Sequence, residues 1–307
     1  MGKITTAIQL LFSNRGVFLA QLVQKFNYLL STKQYLDLTF KCRMGYRIDW
    51  DNPHTFNEKL NWLKLYDHNP IYTQLVDKQS VKSYVEERIG KSYIIPTIGC
   101  WESPEQITFA SLPDQFVLKT THGGGNKGVL LCKDKQSFDI QCAIKKLRES
   151  MKQDIYAISR EWPYKNVNKQ IICEPYIEDR KTGELRDYKF FCFDGEVKAL
   201  FVATERQKRK EPYFNFFDDS YNPLPIKQGH PVSPVIPEKP ETFEEMKTIA
   251  SKLSKGFPHV RVDLYEANGQ VYFGELTFYH FGACVPFEPI EWDYKFGAWI
   301  DLKKIKI

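Results

Sequence analysis

Cysteine is sparse and unpatterned in this 307-residue chain: seven are scattered as Cys42, Cys100, Cys132, Cys142, Cys173, Cys192 and Cys284, with no CxxC pair. An odd, dispersed set argues against a disulfide framework and against a zinc site built on cysteine pairs, and it fits reduced thiols in a cytoplasmic setting. Long apolar runs are also missing. The stretches Ile4 to Phe12 and Gly16 to Val23 fall short of the roughly 20 residues a membrane-spanning helix needs. Lys3 is the one basic residue ahead of the first, and no small-residue cleavage site follows Asn14-Arg15-Gly16. Neither a span nor a signal peptide is expected. Charge of one sign is not in large excess, with 43 Lys+Arg against 38 Asp+Glu. That is weak ground for nucleic-acid binding, which is not expected here; a few cations placed for a phosphate-bearing ligand in one cleft fit the surplus as well. No Ser/His/Asp or Cys/His arrangement stands out for nucleophilic catalysis.

What is present describes a folded protein. Hydrophobic residues make up 42% and charged residues 26% of the chain, and aromatics reach 15%, a rich supply of rings for packed sheets. The length favours two lobes. Ile8, Leu11, Phe12, Leu19, Leu22, Val23, Phe26, Leu29 and Leu30 recur at helical spacing, which predicts amphipathic helices packed on the main body in preference to a membrane surface. Thr55 with Glu58 three residues later forms a capping box for a helix carrying Phe56, Leu60 and Leu63. A further helix is predicted from about Asp77 through Glu87, with Lys78 in its first turn and Gly90 as its stop.

Three segments carry the chemistry. In Phe116-Val117-Leu118-Lys119-Thr120-Thr121-His122-Gly123-Gly124-Gly125 an apolar strand holds a lysine and runs into glycines, and Val129-Leu130-Leu131 returns. The spacing is neither GxxxxGK(S/T) nor GxGxxG. On the glycines alone, a mobile hairpin tip and a phosphate-covering flap are equally supported. Lys119 tips the balance, because an ammonium in an apolar strand is costly unless an anion meets it. The second segment is a strand ending in Glu174 and Pro175, then a hairpin, Leu185 to Val197, turning at Asp194-Gly195. Asp187 and Lys189 share one face of it. The basic stretch Arg206, Lys208, Arg209, Lys210 reads most simply as a solvated loop.

The third segment, Val260 to Thr277, is a hairpin whose parity can be worked out. A two-residue turn at Asn268-Gly269 sets 263 opposite 274 and sends Asp263 and Glu275 to opposite faces. A three-residue loop, Ala267 to Gly269, brings Arg261, Asp263, Glu275 and Thr277 to one face, and this is the predicted geometry. Two carboxylates and a hydroxyl on one face suit a hard cation such as Mg²⁺; the plainer alternative is a polar face without metal.

Taken in order, Lys78 in Val76-Asp77-Lys78, Lys119 before Gly123-Gly124-Gly125, Glu174-Pro175-Tyr176-Ile177, and Asp263 with Glu275 resemble the ATP-grasp enzymes. Phe56-Asn57-Glu58-Lys59-Leu60-Asn61-Trp62-Leu63-Lys64, Lys119-Thr120-Thr121-His122-Gly123, Asp187-Tyr188-Lys189 and Gly274-Glu275-Leu276-Thr277 are similar to the TupA-like group found among polysaccharide-biosynthesis proteins. The resemblance implies an α+β fold of two lobes, each an antiparallel sheet with helices, gripping a nucleotide. The expected division is an N-terminal helical segment over 1–50, a helical region and first lobe over 51–173, and a hinge and second lobe over 174–307.

The resemblance also implies roles. Lys78 and Lys119 reach the α- and β-phosphates of ATP, while His122, Gly123, Gly124 and Gly125 close over them. Glu174, Tyr176 and Ile177 line the adenine slot, and Asp187 or else Glu178 holds the ribose. Lys189 and Arg206 face the γ-phosphate, Arg261 faces the reacting carboxylate, and Asp263, Glu275 and Thr277 hold Mg²⁺, although many relatives have asparagine where Thr277 stands. The implied activity is an ATP- and Mg²⁺-dependent carboxylate–amine ligase working through an acyl phosphate, joining an amine to an acidic sugar or similar carboxylate. A polysaccharide-locus transferase, whether a glycosyltransferase or a phosphotransferase on the same fold, is the alternative. The aromatic segments Pro212 to Phe217 and Pro286 to Trp292 are expected to serve the core.

Overall fold

The computed structural model describes residues 15–124, 128–206 and 209–305. Ile8, Leu11, Phe12, Gly125 and Lys208, which figure in the expectations above, lie outside the described residues. Helix α1 (Arg15–Lys25) packs against α2 (Thr32–Met44). Its apolar stripe does not behave as expected: Ala20 is buried, but Leu19, Leu22, Phe26 and Leu29 stay exposed.

The capping box predicted at Thr55 is present. The Thr55 hydroxyl accepts from the Glu58 N–H and the Glu58 carboxylate accepts from the Thr55 N–H, starting α3 (Phe56–Tyr66). After α4 (Ile71–Val76), helix α5 (Val81–Ile89) begins later than predicted. Asp77 is the reason: its carboxylate accepts from the N–H groups of Gln79 and Ser80 at 3.1 and 2.8 Å, closing a turn that leaves Lys78 outside the helix. Gly90, at φ +98°, ends α5 as expected.

A four-stranded antiparallel sheet follows, in the order β1 (Gly99–Trp101), β4 (Ile171–Pro175), β2 (Phe116–Thr120), β3 (Val129–Cys132). Helices α6 (Ile140–Met151) and α7 (Ile155–Ser159) lie between β3 and β4 in the chain. Phe116, Leu118, Leu147, Ile171 and Cys173 close a small core beneath this sheet. The second sheet has six strands in the order β10 (Gln270–Thr277), β9 (Val260–Ala267), β5 (Arg186–Phe193), β6 (Glu196–Thr204), β7 (Tyr213–Asp218), β8 (Pro223–Leu224). The Asp194-Gly195 turn joins β5 to β6 with both residues at positive φ, as the dipeptide predicts.

Helices α8 (Phe243–Ser254) and α9 (Glu291–Ala298) pack with the larger sheet, as do α3, α4 and α5, which fall within the 51–173 division expected to hold the helical region and first lobe. Phe56, Leu60, Val81 and Val85 share one core with Phe190, Phe191, Val262 and Phe296. Phe216, Phe217 and Phe287 are buried in the same core, as predicted for the aromatic segments. Where α9 crosses the start of α3, a Cβ on Gly297 would sit 2.2 Å from the His54 carbonyl oxygen, so only glycine permits that approach. Among the described residues no cysteine is disulfide-bonded, and no helix is long and apolar enough to cross a membrane.

Candidate nucleotide and metal site

The β9–β10 hairpin reaches its predicted result by a different route. Its turn is the two-residue one: Ala267 pairs with Gln270, and Asn268 and Gly269 sit at φ +54° and +77°. The three-residue loop is therefore a wrong expectation. Regular pairing runs to Leu264 opposite Phe273 and then shifts at a bulge on Gly274, so that Glu275 faces Asp263 and Thr277 faces Arg261. The bulge absorbs one residue and restores the parity the turn would have denied. Glycine belongs there because a Cβ on Gly274 would lie 3.0 Å from both the Asp263 carbonyl oxygen and the Tyr265 ring.

Asp263 is fully buried and surrounded by cations. Arg261 grips both its oxygens, Nε to Oδ1 and Nη2 to Oδ2, each at 2.7 Å, and Lys189 donates to Oδ2. Lys189 also lies 2.7 Å from Asp187, as their shared face on β5 predicted, and Arg206 pairs with the same Asp187 oxygen at 2.7 Å. The other oxygen of Asp187 is buried and has no protein partner among the described residues. Glu275 lies 3.5 Å from Lys78 and 3.6 Å from Arg261. Burial would raise its carboxyl, but Lys78, Lys189 and Arg261 prevail and hold it at about 2. Thr277 accepts from Arg261 Nη2 at 3.0 Å.

The smaller sheet faces this cluster with lysines. Lys119, mid-strand in β2, pairs with Glu174 of β4 at 2.6 Å, and Lys82 of α5 pairs with the other oxygen of Glu174 at 2.7 Å. Burial pushes the Glu174 carboxyl up and the two lysines pull it below its ordinary range. Glu174 thus spends its side chain on fixing two lysines. Lys78 spans the cleft, donating to the Gly123 carbonyl while facing Glu275.

Next to it, His122 is buried with neither ring nitrogen hydrogen-bonded among the described residues, and burial, helped by the charge of Lys169, lowers it to about 4. A Cβ on Gly123 would lie 2.5 Å from the Thr120 hydroxyl, whereas Gly124 has open space around it. Tyr176 donates to Glu178 at 2.8 Å, Lys133 sits over its ring and pairs with Glu178, and Ile177 is half-buried beside them. That places Glu178 in an exposed cluster.

Six cations (Lys78, Lys82, Lys119, Lys189, Arg206, Arg261) here meet four carboxylates (Glu174, Asp187, Asp263, Glu275). The surplus is positive, as an anionic ligand requires. Among the described residues no three His, Cys, Asp or Glu side chains gather as a self-sufficient metal cage. Two facing carboxylates with a nearby hydroxyl do fit Mg²⁺, which commonly takes one or two carboxylates and completes its shell with phosphate oxygens and water. Lys82, His280, which meets Arg261 Nη1 at 2.6 Å, and Gln228, which meets His280 Nε2 at 3.0 Å, contribute here without a predicted role. Lys82 has a signal in the sequence, four residues after Lys78; the other two have none.

Two facing lobes, one bearing a glycine-rich flap with lysines and the other a carboxylate pair, define an ATP-grasp protein. Residues 58–301 match the family described as TupA-like ATPgrasp, and the chain belongs to that family. No curated protein sequence matches the chain. Among solved structures it is similar to D-alanine–D-alanine ligase from Bacillus anthracis (17% identity over 67% of this chain and 57% of that one, TM-score 0.39). Others are D-alanine–D-alanine ligase from Helicobacter pylori (15%, 80% and 69%, TM-score 0.41) and the ATP-grasp ligase PsnB complexed with a phosphomimetic variant of its minimal precursor, Mg and ADP (11%, 92% and 70%, TM-score 0.43). The chain spans little more than half the length of the Bacillus anthracis enzyme, at 57%.

Proposed function

We propose that the protein is an ATP- and Mg²⁺-dependent carboxylate–amine ligase. The observation that carries this is the carboxylate pair Asp263–Glu275, facing each other on one sheet and embedded in an excess of lysine and arginine drawn from both lobes. Lys78 and Lys119 bind the α- and β-phosphates under the flap of His122, Gly123, Gly124 and Gly125. The hinge at Glu174, Tyr176 and Ile177 borders the base, and Asp187, with its unpartnered oxygen, takes the ribose more readily than Glu178 does. Asp263 and Glu275 hold the metal, with Thr277 next to them; bound there, Mg²⁺ neutralises phosphate charge.

The chain's own part is positioning and electrostatics. Lys189 and Arg206 face the γ-phosphate, and Arg261 orients the acceptor carboxylate. That carboxylate attacks the γ-phosphorus and ADP leaves. The amine then attacks the acyl carbon of the acyl phosphate, releasing inorganic phosphate and a proton as the amide forms. An acidic sugar as the carboxylate, in cytoplasmic steps of cell-surface polysaccharide synthesis, suits the TupA-like resemblance.

Calorimetric titration with Mg²⁺ and a nonhydrolysable ATP analogue tests the nucleotide, and an ADP-release screen of uronic acids against amino acids tests the reaction. Binding that needs Mg²⁺, and ADP release that needs both a carboxylate and an amine, are expected. No binding at millimolar analogue, or γ-phosphate retained on the product, would overturn the reading.

A further inference from the structure

We propose that Gln228 and His280 are positioning residues for Arg261, and that a buried polar stripe on α3 holds in place the left-handed turn that carries His280. The inference rests on the reading of Arg261 as the cation of the reacting centre. Arg261 spends Nε and Nη2 on Asp263 and Nη2 also on Thr277, while its Nη1 reaches His280 Nδ1 at 2.6 Å. A guanidinium can only donate, so Nδ1 must be unprotonated. The imidazole proton is then on Nε2, which donates to Gln228 Oε1 at 3.0 Å. Gln228 cannot turn its amide around, because its Nε2 donates to the Val285 carbonyl at 3.1 Å. Each donor and acceptor is thus forced by the next, and both side chains are 1% exposed, leaving water no room to substitute.

His280 opens an unusual turn. Phe281, Gly282 and Ala283 follow it at φ +50°, +60° and +57°, three left-handed residues in succession, two of them with side chains. Such a backbone persists only where its surroundings over-determine it. Here α3 supplies the constraint. Lys64 Nζ donates to the Gly282 carbonyl at 2.7 Å, Asn61 Nδ2 to that of Ala283 at 2.8 Å, and Asn57 Nδ2 to that of Val285 at 3.2 Å.

Positions 57, 61 and 64 lie on one side of a helix, and all three residues are buried. Apolar side chains there would avoid the desolvation of a lysine and two amides. The stripe is accounted for by the carbonyls it meets, and its last contact, the Val285 oxygen, is the one that also orients Gln228. The Asn57–Lys64 segment therefore acts at a distance on the arginine, through the turn.

Two measurements on the full chain test this. In nucleotide-free protein labelled with ¹⁵N-histidine, long-range ¹H–¹⁵N spectra at pH 7 are expected to show His280 neutral, with its proton on Nε2. A proton on Nδ1 overturns the proposal without any variant. In ADP release with a uronic acid and an amino acid present, His280→Leu is expected to lower kcat at least ~10-fold and leave KM for Mg·ATP within about twofold, since Lys78 and Lys119 are untouched. His280→Asn, whose Oδ1 can accept in place of Nδ1, restores most of kcat. A His280→Leu enzyme with wild-type kcat, or a His280→Asn enzyme as impaired as His280→Leu, overturns it. Should His280→Leu not fold, Gln228→Leu takes its place, with the same expected split and a loss of the single tautomer. Wild-type protein that neither binds Mg·ATP nor releases ADP with any carboxylate–amine pair counts against the ligase reading, and the tautomer still decides the relay.

Discussion

Replacing Asp263 by asparagine perturbs the site where its charges are most concentrated. The carboxylate is fully buried and accepts from Arg261 on both oxygens and from Lys189 on one. Removing one partner of a buried ion pair typically costs about 3–5 kcal/mol, because the other is left uncompensated. Here Lys189 keeps Asp187 at 2.7 Å and Arg261 keeps Glu275 at 3.6 Å, which places the expected loss near the low end, about 3 kcal/mol. Urea unfolding at pH 7 without nucleotide measures it.

The same geometry sets how metal and nucleotide influence one another. A cation at Asp263 would add positive charge beside Arg261 and Lys189, which phosphate oxygens would offset. Mg²⁺ and a nonhydrolysable ATP analogue are therefore expected to strengthen each other's binding about 10- to 100-fold, a coupling of about 1–3 kcal/mol. Asp263→Asn should abolish that coupling. A variant within about 0.5 kcal/mol of wild type, the range of an ordinary surface change, or metal and nucleotide binding independently, would refute the reasoning.

Buried neutral imidazoles should make the fold acid-labile. Burial holds His259 at about 3 and His122 at about 4, the latter with help from Lys169. The unfolded groups titrate near 6.5, so this stability is present above that pH and is lost as pH falls toward the folded values, about 2 kcal/mol per histidine between pH 7 and 5. Asp293 works in the opposite sense: burial raises it to about 6, so its contribution is full below about 4 and lost as pH rises through 6. A net fall of at least about 3 kcal/mol from pH 7 to 5 is expected by urea unfolding, because burial lowers His280 as well; the fall is smaller in His259→Asn, and a flat profile would contradict it. Lys119→Met should weaken binding of the Mg·ATP analogue about 10- to 100-fold in calorimetry while the fold persists, since Lys82 still pairs with Glu174; unchanged affinity would remove Lys119 from the phosphate site. Gly297→Ala pushes a methyl group against the His54 carbonyl and Phe56 N–H, and should cost about 1–3 kcal/mol in thermal unfolding; an unshifted melt would show that α9 slides freely over α3.

The sequence by itself determined the features whose causes lie within a few residues. Thr55 and Glu58 start α3, Gly90 stops α5, and Asp194-Gly195 turns a hairpin, because caps and two-residue turns are closed by groups three or four positions apart. The ordered motifs also marked the family. Parity predicted that Asp263 and Glu275 share a face but assigned the cause to the turn. The actual cause is the bulge at Gly274, where the backbone passes against Tyr265, a contact that no turn rule contains.

Only the tertiary structure decided which partner each charge has. Glu174 reads as a hinge residue until β2, β4 and α5 bring Lys119 and Lys82 to its two oxygens. Asn57, Asn61 and Lys64 find their partners only where the turn after β10 presents carbonyls to them. Those partners come from strands and turns far away in the chain, and their meeting depends on strand order and register. A local pattern constrains backbone torsions and one buried face, whereas the pairing of buried charges is settled only when the sheets assemble and exclude the water that would otherwise solvate them.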